Sequence, residues 1–144
     1  MDWINLFTSF EGRISRQPFW IAWAVLIAIE IAISFITDED SARLSAVLDL
    51  VLIYPEFAVC AKRGHDRNTP AWVSGLFFAL GAVFDLMILG GFIVNADLTN
   101  PTPLVYALLV PLGVFALVLI VDLGLRRGTV GPNRYGPDPL EATT

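Results

Sequence analysis

The sequence has few of the residue types on which soluble enzymes build active sites. Among 144 residues there is one cysteine and one histidine. The lone Cys60 excludes an internal disulfide, and no paired Cys and His spacing indicates a zinc site. Gly-x-Ser-x-Gly, phosphate-loop and HExxH motifs are also missing. We therefore expect no enzyme, no metal and no cofactor.

Charged residues are scarce and apolar residues are in excess. The charged fraction is 16% and the apolar fraction is 56%. Soluble domains average roughly 25% charged and 45–50% apolar residues. A water-soluble chain of this length would have too little polar surface to cover itself, so the composition predicts a membrane protein.

Four stretches are long and apolar enough to cross a bilayer, which takes about 20 residues. They lie at about residues 19–36, 44–61, 71–94 and 104–125. Asp49, Pro55 and Glu56 interrupt the second stretch. Short connections make consecutive helices antiparallel neighbours. We predict an all-α membrane protein, a single domain over residues 1–144 with four transmembrane helices in an up-down bundle.

The basic residues predict the orientation of this bundle. Of the nine Lys and Arg residues, only Arg43 falls between the first two spans, on the side opposite the other eight. Because Lys and Arg accumulate on the cytoplasmic side of membrane proteins, both termini should be cytoplasmic.

The two flanking segments have different characters. In residues 1–17, Trp3, Leu6, Phe7 and Phe10 recur with helical spacing. They predict an amphipathic helix on the inner leaflet or, alternatively, a stripe packed on the protein's own loops. Residues 126–144 are rich in Gly and Pro, which predicts a turn-rich cytoplasmic tail.

A charged strip separates the second and third spans, and reads VCAKRGHDRNTPAW over residues 59–72. We expect the tail to fold over it, with Asp66 facing Arg134 or Arg13, and Thr69 and Pro70 to start the third helix. The strip either sets topology through exposed ion pairs, which contribute little, or forms an anion site for a phosphate or lipid headgroup. The candidate residues are Arg13, Arg16, Lys62, Arg63, His65, Asp66, Arg67, Asn133, Arg134 and Tyr135.

Five carboxylates lie inside the predicted spans: Glu30, Asp49, Glu56, Asp85 and Asp122. Carboxylates are costly in a membrane and are functional candidates for that reason. Asp122 has Arg126 one turn away, and a cytoplasmic basic side chain could reach Glu56. Glu30, Asp49 and Asp85 have no such partner, so we expect them to share protons or to line a water-filled space.

Three stretches together resemble a bacterial inner-membrane family called domain of unknown function 805. They read GRISRQPFW, YPEFAVCAKRGHDRNTPAW and GTVGPNRYGPDP. The resemblance covers nearly the whole chain and implies a small helical protein of the bacterial inner membrane with no established activity. Gly64 and the TPAWV segment depart from the pattern, which blurs any role for the start of the third helix.

Two functions follow as expectations. The first is a non-catalytic membrane module with a basic cytoplasmic cap that binds anionic phospholipid headgroups, a membrane protein partner or a second copy of itself, and no nucleic acid. The second is a small proton- or cation-linked transporter that uses the intramembrane carboxylates. The sequence does not choose between these two functions.

Overall fold

The computed structural model describes residues 2–37, 41–93 and 102–141. Within these ranges the fold is helical, with no β-strand. The helices are α1 (Trp3–Thr8), α2 (Arg16–Ile36), α3 (Ala42–Asp66), α4 (Trp72–Leu89) and α5 (Pro103–Leu119). A π-helical segment, Ile120–Leu125, continues α5 to the end of the bundle.

Four of these helices have the length and composition of membrane spans. They are α2, α3, α4, and α5 with its π-helical continuation. In their most apolar stretches only 11% to 28% of the residues are buried inside the protein. The remaining apolar side chains face outward, which is stable only if lipid surrounds them. The chain is therefore membrane-embedded, and the predicted fold class is confirmed.

Helix α3 holds the bundle together. It packs against α1, α2 and α4, while α5 packs against α4. Helix α2 meets the last helix mainly at the π-helical segment, so the two diverge beyond that point. The core is concentrated near this end and includes Leu6, Phe19, Leu26, Val59, Phe78 and Leu123.

Helices α3 and α4 differ in their bounds from the prediction. Helix α3 continues to Asp66, past the expected end at Ala61. Its last turns stay helical because groups from other segments bind their charged side chains. Helix α4 begins at Trp72, with Ala71 in place of Thr69 as the preceding residue, and ends at Leu89. Pro55 lies within α3 without ending it.

The N-terminal stripe packs mostly on the protein itself. Leu6 is buried in the core, and the Phe10 ring lies 5.2 Å from Tyr54 and 5.0 Å from Phe57. Trp3 and Ile4 are exposed on the other side of α1. Their location in the lipid headgroups stays a prediction.

Candidate functional site: an ion-paired cap and two intramembrane cavities

Three parts of the chain meet at one end of the bundle. They are the segment before α2, the end of α3 with its connection to α4, and the segment after the π-helical segment. We call residues 2–15, 62–71 and 126–141 the cap. Its centre is Asp66, whose carboxylate accepts from Arg13 Nη2 at 3.0 Å and Nε at 3.2 Å and from Arg63 Nη1. The side chains of Arg13, Arg63 and Asp66 are 1%, 0% and 4% exposed. The expectation of weak, exposed ion pairs was therefore wrong at this position.

Arg13 ties the cap segments together. Its Nη1 donates to the carbonyl oxygens of Gly131 at 2.8 Å and Gly136 at 3.1 Å. Its Nη2 also donates to the Thr129 carbonyl at 2.7 Å. The planar guanidinium holds five N–H groups in a fixed fork, which suits this convergence of acceptors. Of the two partners predicted for Asp66, Arg13 is therefore the one that it contacts, and Arg134 is not.

Arg63 closes the end of the last helix. Its Nε donates to the Leu123 carbonyl at 2.6 Å and its Nη2 donates to the Arg126 carbonyl at 2.6 Å. The last carbonyl groups of a helix accept no hydrogen bond from within that helix, and they carry partial negative charge. A buried guanidinium therefore satisfies both the hydrogen bonding and the charge of this helix terminus.

Lys62 performs the same task for α1. Its Nζ donates to the carbonyl oxygens of Asn5 and, at 2.9 Å, Leu6. The Tyr54 hydroxyl donates to the Thr8 carbonyl at 2.7 Å. A six-residue helix is unstable alone, and these bonds from α3 fix it in place. Lys62 therefore serves α1 and is not presented to a ligand.

An aromatic stack joins the tail to α3. The rings of His65 and Tyr135 lie 3.8 Å apart and nearly parallel, and the Arg134 guanidinium lies 4.7 Å from the Tyr135 ring centre. His65 Nδ1 is 3.2 Å from the Gly12 carbonyl. Asn133 Nδ2 donates to the His65 carbonyl at 2.9 Å. With one ring face stacked on Tyr135 and Nδ1 at the Gly12 carbonyl, His65 fits a structural part better than general-base catalysis.

Asp122 belongs to the rim of the cap and not to the other intramembrane acids. Its Oδ1 accepts from Arg126 Nη1 at 3.0 Å, as the sequence predicted, and also from Arg67 Nη2 at 3.1 Å. Its side chain is 26% exposed. The exposure of the Arg126 side chain, 63%, makes this a weaker pair than those of Asp66.

Two residues that were not predicted as site residues order the tail. Thr129 donates from N at 2.8 Å and from Oγ1 at 2.9 Å to the Asp66 carbonyl. Asp138 accepts from the Leu140 and Gly131 N–H groups at 3.0 and 2.9 Å, and these bonds hold its pKa below the usual range. The Pro-Asp-Pro turn could have indicated Asp138. No local signal distinguishes Thr129.

Two glycines are required by close approach. A Cβ at Gly128 would collide with the Asp66 carboxylate. A Cβ at Gly124 would lie 2.5 Å from the Trp20 ring, whose Nε1 donates to the Gly124 carbonyl at 3.2 Å. Only a residue without a side chain lets these surfaces meet.

An apolar cavity of about 210 Å³ lies next to the cap, within the membrane region. Helices α2, α4 and α5 and the π-helical segment contribute its walls, together with Cys60 from α3. The lining residues are Phe19, Trp20, Trp23, Ile27, Cys60, Phe77, Phe78, Ala116, Leu119, Ile120 and Leu123. None of these described lining residues carries a charge.

An acid cavity of about 220 Å³ lies farther from the cap. Glu30 of α2, Asp49 and Glu56 of α3 and Asp85 of α4 all line it. Glu30 and Glu56 are close enough to hydrogen-bond. The expectation that a cytoplasmic basic side chain would reach Glu56 was wrong, since neither Lys nor Arg is among the described lining residues.

The predicted residues therefore separate into two groups. The structure brings Arg13, Arg63, His65, Asp66 and Asn133 together in the cap. It brings four of the five intramembrane acids together in the acid cavity, and it assigns Asp122 to the rim. Trp23, Phe77 and Phe78, which were not predicted as site residues, line both cavities.

The fold and this cap define a class, that of small four-span helical membrane proteins. Residues 7–137 match the family model described as protein of unknown function (DUF805), and the chain belongs to that family. The resemblance inferred from the three motifs is thus confirmed. No catalytic function is indicated for the family.

Two Escherichia coli K12 proteins are similar to the chain. One is the uncharacterised protein YiiR, 33% identical over 135 residues, which cover 90% of this chain and 85% of YiiR. The other is the inner membrane protein YhaH, 22% identical over 150 residues, which cover 96% of this chain and 97% of YhaH. No solved structure matches the chain.

Proposed function

We propose that this protein is a non-catalytic module of the bacterial inner membrane that holds an anionic phospholipid of the cytoplasmic leaflet. The supporting observation is the position of the apolar cavity about one helical turn below exposed arginine side chains. An acyl chain would occupy the cavity, and the phosphate group would bind at the arginines.

The cavity is suited to an acyl chain by its lining and its location. Its walls are almost wholly apolar, and it lies where α2 and the last helix begin to diverge. A space between two lipid-facing helices can be entered sideways from the bilayer. Each CH₂ group transferred from water into such a space contributes about 0.8 kcal/mol, although transfer from lipid contributes far less. The headgroup must therefore supply much of the selectivity.

Arg16 and Arg127 are the basic side chains available for a headgroup. Arg13, Lys62 and Arg63 are saturated by carbonyl groups and Asp66, as described above. Arg16 and Arg127 are exposed and line one small pocket of about 30 Å³, whose lining also includes Ser15, Arg63 and the bonded carboxylates of Asp66 and Asp138. That volume suits a water molecule or a phosphate oxygen, not a whole ligand. Arg16 also begins α2, where the helix dipole favours an anion.

The proposal requires the cap to face the cytoplasm. Eight of the nine Lys and Arg residues flank the spans on the side of the cap, and this distribution supports that orientation. In a Cys60→Ser background, Ile4→Cys should be protected from an impermeant thiol reagent applied to intact cells, and Glu39→Cys should be labelled. The opposite labelling pattern would contradict both the orientation and the choice of leaflet.

Lipid retention tests the site itself. Native mass spectrometry of the protein purified from phosphatidylglycerol-containing membranes should show one retained anionic lipid. Arg16→Gln with Arg127→Gln should lower its retention about tenfold, and Ala116→Phe should block the cavity. The matched controls are Arg134→Gln, an exposed arginine that contacts the Asn68 carbonyl, and Ala107→Phe on the outer face of α5. Equal retention in the test and control variants would refute the proposal.

A further inference from the structure

The acid cavity is the second site that the structure offers, and it is distinct in chemistry from the lipid site. Four carboxyl groups from three helices line one space, and the described lining contains no basic side chain. Arg43, the basic residue at the start of α3, lies beside Gly91 at the opposite end of the bundle from the cap. Asp49 is six residues further along α3, roughly 9 Å of helix rise away.

Asp85 is an unpartnered acid directed into this space. Only 9% of the residue is exposed, and its carboxylate makes no hydrogen bond to the part of the chain that the structure describes. Buried polar groups are normally satisfied, and unsatisfied ones in a cavity indicate a missing partner.

The charge of the missing partner follows from the lining. Carboxylates that share a low-dielectric space repel one another, and a bound cation or retained protons relieve the repulsion. In the cap the buried carboxylate of Asp66 has its cations, Arg13 and Arg63, within the protein. In the acid cavity no described residue supplies such a cation, so we expect the compensating charge to come from outside the protein.

The lining also favours one kind of cation. Among the described residues, no group of three or more acidic, His or Cys side chains has the arrangement that would hold a metal ion. The remaining walls of the cavity include Trp23, Phe77 and Phe78. Aromatic faces attract ammonium groups, and quaternary ammonium recognition commonly combines aromatic rings with carboxylates. We propose that the acid cavity binds a small organic ammonium ion that carries an apolar substituent.

Isothermal titration calorimetry with benzyltrimethylammonium tests this proposal on the full chain in phosphatidylcholine nanodiscs, whose surface does not attract cations. We expect one bound probe per chain at pH 7.5. Because protons compete for the same carboxylates, binding should weaken at pH 5. The double variant Glu30→Gln with Asp85→Asn should lose at least tenfold in affinity.

Two controls make the result interpretable. Glu11→Gln removes a carboxyl group that faces water in the cap, and it should leave the affinity unchanged. If the double variant does not fold, Glu30→Gln alone must weaken binding, since Glu30 is exposed and its replacement disturbs no packing. No binding, or equal binding in the parent and the Glu30 variant, would overturn the proposal. Lipid retention at Arg16 and Arg127 is measured separately, so the two proposals can fail independently.

Discussion

The cap and the acid cavity each contain a buried Asp carboxylate, and the two carboxylates differ in whether they have a partner. In the cap, Asp66 is buried between Arg13 and Arg63, and its backbone carbonyl is also bonded. In the acid cavity, Asp85 is buried to a similar extent with no cation and no hydrogen bond from the described residues. The protein therefore contains one carboxylate site that is complete and one that is incomplete.

This difference indicates that the cap stabilises the fold and that the acid cavity is suited to binding and releasing a ligand. A saturated ion network resists opening, because each broken contact leaves a buried charge. An acid without a partner destabilises the folded state slightly, and it gains a partner only when something binds. The charged strip over residues 59–72 is thus largely structural, while the four acids of the acid cavity are better placed than the strip to bind a ligand.

The largest expected effect comes from removing the central carboxylate. Asp66→Ala leaves Arg13 and Arg63 buried without a counter-charge, which should cost about 3–5 kcal/mol of unfolding free energy. Thermal unfolding in detergent, followed by circular dichroism, measures the loss, and helical content in the cold should change little. Asp122→Ala is the control, since that pair is partly exposed and should contribute at most about 1 kcal/mol. Equal losses in the two variants would remove the distinction between centre and rim.

A second test adds atoms to the cap. Gly128→Ala forces a Cβ against the Asp66 carboxylate and should destabilise the protein by about 1–3 kcal/mol. Gly113→Ala on α5 is the matched control, because no heavy atom lies within 4 Å of its Cβ position. A helical Gly→Ala change of that kind should stabilise by about 0.5–1 kcal/mol. Unfolding measurements on both variants should therefore shift in opposite directions.

A smaller effect is expected from the tail. Tyr135→Ala removes the ring stacked on His65 and should lower stability by about 0.5–1.5 kcal/mol beyond the lost buried area. Tyr135→Phe keeps the ring and should behave like the parent protein. If Tyr135→Ala also melts like the parent, the tail does not contribute to the folded cap.

The acid cavity should respond without any loss of stability. Glu30→Gln with Asp49→Asn removes groups that have no basic partner, so the melting temperature in detergent should stay the same or rise. Infrared spectroscopy near neutral pH tests the reason, because a carboxyl group that retains a proton gives a carbonyl band of its own. That band should weaken in the double variant, in which Glu56 and Asp85 remain, and a parent spectrum without it would contradict proton sharing.

Much of the architecture could be predicted because it depends on local composition. Apolar length gave the four spans, and the Arg and Gly-Pro motifs indicated the cap residues and the family. The end of α3 could not be predicted in this way. Lys62 and Arg63 look like residues that terminate a span, yet they remain helical because α1 and the last helix supply carbonyl partners for them. No window of sequence around residue 62 contains those partners.

The sequence by itself determined that this chain crosses the membrane, where it crosses, and which side chains carry charge, because hydrophobic length and charge placement act locally. Only the tertiary structure decided which charges are neutralised. Arg13 reaches Asp66 across 53 residues of chain, and Glu30 reaches Glu56 across the gap between α2 and α3. Electrostatic partners in a low-dielectric interior are selected by distance in space, and distance in space is set by how the helices pack.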